Sequence, residues 1–372
     1  MRIGIDYTAA VRQGGGIGRY TRNLIRALAE RDREHRYTLF VAGRGEDGLG
    51  AWPANFRRRS VPLSDRWTTI LWQRLRLPIP IQLITGSLDL FHSPDFVLPP
   101  VGRTPTILTV HDLSFLRVPE HFVPGFCAYL TGAVSRAVAR ADHILADSQS
   151  TRRDLVELLA VEPNRVTVLY PGVEPRFRPI DEAPLLERVR TEYHLPERFV
   201  LGLGTLQPRK NFDGLIRAFV RLPEADDLHL VIVGGKGWMY EDTLALPASL
   251  GCEGRVHFPG FVDDADLPML YNLASVLAFP SWYEGFGLPV LEAMACGTPV
   301  VAADNSSLPE VVGDAGLLID AADTEALTEA LMRLLNDDAL RTDLIPAGQV
   351  QVQRFTWAAA AEQLLQLYSI YT

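Results

Sequence analysis

Residues 276–304 read VLAFPSWYEGFGLPVLEAMACGTPVVAAD. An apolar run, VLAFPS, ends in a loop carrying Gly285 and Gly287, and Pro289 then stands where the first turn of a helix tolerates a missing N–H. Past that helix, TPVVAAD opens a second apolar run. Strand, glycine loop, helix, strand is a crossover unit, and two strands joined in this way lie parallel.

The same alternation extends in both directions. Upstream in the second half stand FVLGLGT, a helix opening at Asn211, HLVIVGG and RVHFPG. In the first half the β-branched runs are RIGID, YTLFVA, DLFHS, TILTVHD, HILADS and VTVLY. Between them the 3.6-residue period appears; Gly18 to Glu30 places Ile17, Tyr20, Leu24, Ile25 and Leu28 on roughly one face. Pro124 to Arg140 and Gln149 to Leu159 supply further crossovers. The rhythm breaks where prolines 171, 175, 179, 184 and 196 crowd together, which reads as a connecting segment. The expectation is an α/β chain of two doubly wound parallel-sheet domains facing across a cleft: residues 1–170, a linker at 171–196, and residues 197–355. A final amphipathic stretch, 356–372, crosses back to pack on the first domain. Ligands in such sheets bind outside the carboxyl ends of the strands.

Composition agrees. A chain of 372 residues exceeds what one core usually organises, and 47% hydrophobic with 22% charged residues belongs to a globular enzyme. Cys127, Cys252 and Cys296 show neither metal-ligand spacing nor a disulfide framework, and MRIGIDY enters a strand directly without the pattern of a signal peptide. The most hydrophobic stretch, Ile70 to Leu88, carries Arg74, Arg76 and two prolines, so no spanning segment is expected. A cytoplasmic protein follows. The net charge of −9 hides an asymmetry. Residues 1–170 hold 22 arginines and no lysine against 16 acidic residues, a balance of +6, and the remainder carries −15. A basic first domain, with Trp67, Trp72, Arg74 and Arg76, suits peripheral contact with an anionic membrane face and equally a hairpin packed into the core. No nucleic-acid partner is implied.

The chemistry-bearing residues sit at strand ends. Backbone N–H groups of Gly287 and Leu288 are unpaired at a helix start and suit a phosphate. Glu292, one turn further in, leans back toward that start and suits sugar hydroxyls; alone, it is equally a carboxylate complementing the helix dipole. In TLQPRKN, Arg209 and Lys210 follow a strand, and Asn211 is placed to cap the next helix. Lys210 is one of two lysines in the chain, with Lys236. Gln13 to Tyr20, QGGGIGRY, is a glycine loop between the first strand and its helix, and by itself it also suits a dinucleotide. A dehydrogenase presents an acidic residue at the end of the second strand, where this chain has Arg44 before Glu46 and Asp47, which weakens that reading. His111 ends the strand TILTVHD; Asp147 and Ser148 end HILADS, where capping of the following helix explains them as well.

Glu284 and Glu292, with seven residues between them around a Gly-Phe-Gly-Leu-Pro turn, make the chain resemble the retaining glycosyltransferases of family 4, which have the two-domain GT-B fold. The resemblance covers essentially the whole chain, is nearest to bacterial mannosyltransferases of surface polysaccharide synthesis, and implies that residues 1–170 hold the acceptor and residues 197–355 the nucleotide-sugar donor. It implies that Glu292 holds ribose hydroxyls and Glu284 the transferred sugar, with Gly285, Phe286, Gly287 and Leu288 bracketing sugar and diphosphate. It implies that Arg209 and Lys210 neutralise the departing diphosphate, that Gly15 and Gly16 approach from the first domain, and that His111 contacts the donor sugar. Asp112 orients the acceptor or caps its turn. Gly260, Phe261 and Val262, before an acidic helix start at Asp263 and Asp264, lie near the base. The implied partners are a nucleotide-sugar donor, GDP-mannose before a UDP-sugar, and a glycan or lipid-linked acceptor; no cofactor or metal is expected. A sugar-nucleotide epimerase and a non-catalytic nucleotide-sugar binder are the competing classes.

Overall fold

Thirteen strands form among the described residues, which are 1–43, 45, 50–223 and 227–371 of a computed structural model. They fall into two units, the first comprising Met1–Leu113, Ala128–Gly172 and Thr356–Thr372, the second Ser114–Cys127 and Val173–Phe355.

The first unit contains β1 (Arg2–Asp6), β2 (Arg36–Ala42), β3 (Phe56–Val61), β4 (Leu90–Ser93), β5 (Thr106–Val110), β6 (His143–Ala146) and β7 (Val166–Val168). All pair in parallel, in the order β3-β2-β1-β4-β5-β6-β7. The register sets Ile5 between Leu39 and His92. Ile3 and Ile5 are fully buried, and the helix Gly16–Arg31 covers them with Tyr20, Leu24, Ile25 and Leu28. The last helix, Trp357–Ser369, lays Trp357, Leu364 and Tyr368 into this same core. The Tyr368 hydroxyl meets His92 Nδ1 at 2.7 Å, which satisfies two polar groups that would each be costly to bury alone. Strand β3, FRRRSV, was not expected from the sequence. It is an edge strand whose three arginines interrupt the apolar run, and charge on an exposed edge discourages pairing with other chains.

The second unit contains β8 (Arg198–Leu203), β9 (Leu228–Val233), β10 (Val256–Gly260), β11 (Val276–Phe279), β12 (Val300–Ala303) and β13 (Leu317–Ile319). These too are parallel, ordered β10-β9-β8-β11-β12-β13. Phe212, Leu215 and Phe219 from the helix after Asn211 bury against Leu230, Ile232 and Leu331. The proline-rich stretch 171–196 includes a helix, Ala183–Glu192, with Pro184 in its first turn, where proline is tolerated. Asp266 ties that region to the sheet's helices, pairing with Arg188 and accepting from the Tyr193 hydroxyl at 2.9 Å.

Both sheets reverse direction once. In the first, the chain steps outward from β1 to β3 and then adds β4 on the other side of β1; in the second, β11 joins β8 in the same way. Each reversal opens a crevice at the carboxyl ends of two neighbouring strands, which is where ligands of doubly wound sheets bind.

Candidate active site

The second crevice collects the charged residues. Strand β8 ends at Leu203, Gly204 follows with φ +148°, and the short turn Pro208–Lys210 leads into the helix Phe212–Val220. Asn211 fixes this turn: its side chain accepts from Gly214 N at 3.3 Å and donates to Pro280 O at 3.1 Å and Ala321 O at 2.8 Å. Main chain adds a second tie, Trp282 N to Arg209 O at 2.9 Å. Arg209 and Lys210 are thereby clamped to the end of β11, next to the loop that carries Glu284.

There the three charges meet. Lys210 Nζ lies 2.6 Å from Glu284 Oε1, and Arg209 Nη1 lies 3.1 Å from Oε2 and also donates to Tyr283 O. Glu284 is 7% exposed. Burial opposes its ionisation, but Lys210 and Arg209 outweigh burial and hold its carboxyl down at about 2. Lys210 also lies 4.7 Å from the Phe279 ring centroid, and a side chain at Gly204 would press on Lys210 Cε at 3.0 Å. Glu284 is anchored through its backbone as well: Ser306 Oγ accepts from its N–H at 2.9 Å, and the Ser307 hydroxyl donates to Glu284 O and to Phe286 O at 2.9 and 2.8 Å. Two fixed cations against one carboxylate leave the cluster a net positive charge beside the turn.

Gly287 caps the helix Leu288–Ala295 with φ +110°, a region that favours glycine, and Pro289 sits in the first turn as expected. Phe286 is buried with its ring against Phe355, centroids 5.5 Å apart, so it offers the turn its main chain rather than its side chain. Glu292 is 1% exposed and accepts from the Tyr271 hydroxyl at 2.9 Å. Gly260, φ +86°, ends β10; Val262 is buried and Phe261 is exposed. The acidic pair beyond does not start a helix. Asp264 pairs with Arg176 at 2.7 Å, and the helix begins at Leu267 with Pro268 in its first turn.

In the first unit, Gly15 caps the helix Gly16–Arg31 and, like Gly16, faces open space. Tyr20 of that helix meets the His111 ring edge-on at 4.9 Å, so loop and histidine share one end of the sheet. His111 is held at both nitrogens, Nδ1 at 2.7 Å from Asp147 Oδ2 and Nε2 at 3.0 Å from Pro94 O. Burial disfavours its charge, but the Asp147 carboxylate beside it, with Asp95 beyond, raises the imidazole to about 9. Ser148 caps the helix Gln149–Leu159, accepting from Thr151 N at 3.0 Å. Arg44, Glu46 and Asp47 lie outside the described residues.

Comparison with known proteins decides the family. The profile of Glycosyltransferase Family 4 matches residues 14–177, and that of Glycosyl transferases group 1 matches residues 187–351. The O-antigen chain mannosyltransferase B of Escherichia coli is 32% identical over 370 residues, 95% of this chain and 96% of that protein. The chain is a family 4 glycosyltransferase. A D-inositol 3-phosphate glycosyltransferase of Salinispora tropica is 35% identical over 309 residues, 76% of this chain and 64% of that protein. Among solved structures, a sucrose-phosphate synthase from Thermosynechococcus elongatus superposes with a TM-score of 0.78, covering 99% of this chain and 98% of that one at 23% identity. That likeness shows the GT-B fold of this glycosyltransferase.

Three features of the site were not singled out from the sequence. His121 stacks on Trp282 with ring centroids 5.6 Å apart, and its carbonyl accepts from Trp238 Nε1 at 2.8 Å. Ser306 and Ser307 grip the Glu284 loop, and Tyr271 bonds Glu292. Only Ser306 and Ser307 left a trace, in the NSSLPE stretch that follows a strand end.

Proposed function

We propose that this glycosyltransferase moves mannose from GDP-mannose to a hydroxyl of a glycan or lipid-linked acceptor in cell-surface polysaccharide or glycoconjugate synthesis, with retention and without a divalent metal. The observation that carries the reading is the Arg209–Lys210–Glu284 cluster, held at a sheet's switch point one turn from Gly287. Mannose is favoured by the likeness to the O-antigen mannosyltransferase over nearly all of both chains.

In this reading the diphosphate meets the N–H groups of the Gly287 turn and the two cations, which are already fixed and need no reorganisation as charge develops. Glu284 keeps those cations in place and faces the transferred sugar. Glu292 takes the ribose hydroxyls, and Gly260 to Val262 border the base. Within the first unit, Gly15 and Gly16 offer main-chain N–H groups to a ligand, and His111 can trade its bond to Pro94 O for a sugar hydroxyl. The acceptor oxygen forms the new bond to the anomeric carbon while the bond to the β-phosphate oxygen breaks. The acceptor proton passes to that departing oxygen, so GDP leaves with no enzyme nucleophile required.

Membrane contact belongs to the same proposal. Leu63, Trp67, Leu75, Leu77, Ile79 and Leu83 are exposed among Arg66, Arg74 and Arg76, a mixture suited to an anionic surface. No helix among the described residues is long and apolar enough to cross a membrane.

The test incubates the protein with GDP-mannose or UDP-glucose, with EDTA and with an acceptor, and follows nucleotide release and product anomer by NMR. Release of GDP with an α-linked product supports the proposal. Release of UDP instead moves the donor to the UDP-sugars, isomerised donor without acceptor marks an epimerase, and an unreacted donor marks a silent binder.

A further inference from the structure

Residues 174–178, EPRFR, open the proline-rich stretch of the second unit, and none of them has a part in the reaction described above. They are nevertheless tied to the elements that border the nucleoside. Asn272, near the end of the helix Leu267–Leu273, clamps the far end of the stretch: its Oδ1 accepts from Ile180 N at 2.8 Å, and its Nδ2 donates to Arg178 O at 3.0 Å. Main chain is thereby fixed to that helix, and the side chains between reach the donor site by two routes.

Arg176 is the first route. Its Nη2 lies 3.1 Å from Glu174 Oε1 and 2.7 Å from Asp264 Oδ2, its Nε lies 3.2 Å from Glu174 Oε2, and its Nη1 donates to Asp264 O. A rigid guanidinium fork reaches two carboxylates and a carbonyl together, which the single ammonium of a lysine does not. Asp264 stands two residues past Val262, so this grip on its main chain fixes the loop as it leaves Gly260 to Val262, the stretch given to the base. Phe177 begins the second route. It is buried, with the Arg176 guanidinium 4.7 Å from its ring centroid and the Tyr271 ring edge-on to it at 5.9 Å. Tyr271 is fully buried; the Thr298 hydroxyl donates to its carbonyl at 2.7 Å, and its own hydroxyl donates to Glu292 Oε2 at 2.9 Å. A hydroxyl donating to a buried carboxylate selects one orientation of that side chain. Adjacent residues of one segment therefore hold the base loop and the ribose carboxylate separately.

We propose that Arg176 and Tyr271 are positioning residues for the nucleoside half of the donor, Arg176 setting the choice of base through the loop after β10 and Tyr271 setting recognition of ribose through Glu292. The proposal rests on the nucleotide-sugar reading and deepens it. A part in folding alone would weaken every nucleotide alike, whereas positioning separates base from ribose.

Calorimetric titrations of GDP, UDP and 2′,3′-dideoxy-GDP into wild type, Arg176→Lys, Tyr271→Phe and Arg178→Ala test it. Each protein yields two affinity ratios, one between the two bases and one between GDP and its dideoxy analogue. Wild type holds both at roughly tenfold or more, because a site built to bond a group rejects the ligand that lacks it. Arg176→Lys lowers the base ratio about threefold or more and leaves the ribose ratio within about twofold, and Tyr271→Phe does the reverse. Arg178→Ala, which removes an exposed side chain of the same segment, changes neither. Circular dichroism melts establish that the variants are folded. A ratio unmoved in its own variant, or both ratios falling together in the two conservative variants or in Arg178→Ala, overturns the proposal. Wild-type ratios near one overturn the nucleotide-site reading and this inference with it, so the two failures give different results.

Discussion

Replacing Lys210 by Met separates two consequences of the charged cluster. The Lys210–Glu284 contact is 2.6 Å long between side chains only 11% and 9% exposed. Removing one partner of such a buried pair costs about 3–5 kcal/mol. Arg209 remains 3.1 Å from the other carboxylate oxygen, which places the loss at the low end, about 3 kcal/mol. Turnover falls for another reason. A fixed cation facing the leaving group is worth roughly a hundredfold or more, by analogy with loss of one preorganised donor. The double variant Lys210→Met with Glu284→Gln, set against Glu284→Gln alone, divides these effects, because Glu284 itself faces the sugar and holds Arg209, so only the further change belongs to Lys210. Urea unfolding measures stability, and GDP release from GDP-mannose measures turnover. Stability in the double variant is no lower than in Glu284→Gln, because the carboxylate that Lys210 partnered is already gone, whereas turnover falls below that of Glu284→Gln by a further factor of roughly a hundred. If turnover in the double variant equals that of Glu284→Gln, Lys210 is a structural counter-ion, and its role in stabilising the leaving group is wrong.

Three further outcomes follow from single contacts. Glu292→Ala removes the acceptor of the buried Tyr271 hydroxyl, costing about 1–3 kcal/mol of stability, and weakens calorimetric GDP affinity tenfold or more; unchanged affinity removes the ribose role. Gly18→Ala places a methyl 1.9 Å from Gln13 O and lowers stability in urea unfolding by about 1–3 kcal/mol, as overpacking does. His111 titrates higher in the folded protein, at about 9 against 6.5, so its stabilising contribution is complete below pH 6.5 and is lost as pH rises through 9. The His111→Asn variant loses that slope, and an identical alkaline limb in both proteins contradicts the His111–Asp147 pairing.

Much of this was legible because some residues constrain the backbone by themselves. Gly287 at positive φ and Pro289 in a first turn announce a strand-to-helix turn whatever surrounds them, and Asn211 announces a cap. The β-branched runs of the buried parallel strands read just as directly. Strand β3 did not, since Arg57, Arg58 and Arg59 replace the apolar run on an edge that needs no second buried face, and β13 is too short to carry a period. The helix Ala183–Glu192 was hidden by prolines, one of which belongs to its own first turn. What sequence could not give was partnership. Glu284 meets Lys210 because β8 and β11 are neighbours, and Asp6 shares a cavity with Asp95 because β1 and β4 are. Both adjacencies are products of sheet order, and neither leaves a local signal.

Calorimetric titration of GDP and GMP into wild-type protein and into Arg209→Gln tests the central claim most directly, since the two nucleotides differ only in the phosphate that Arg209, Lys210 and the Gly287 turn are said to hold. GDP binds wild type at least tenfold more tightly than GMP, and Arg209→Gln loses most of that advantage. Equal affinities for the two nucleotides, or an advantage undiminished in the variant, would place the diphosphate elsewhere.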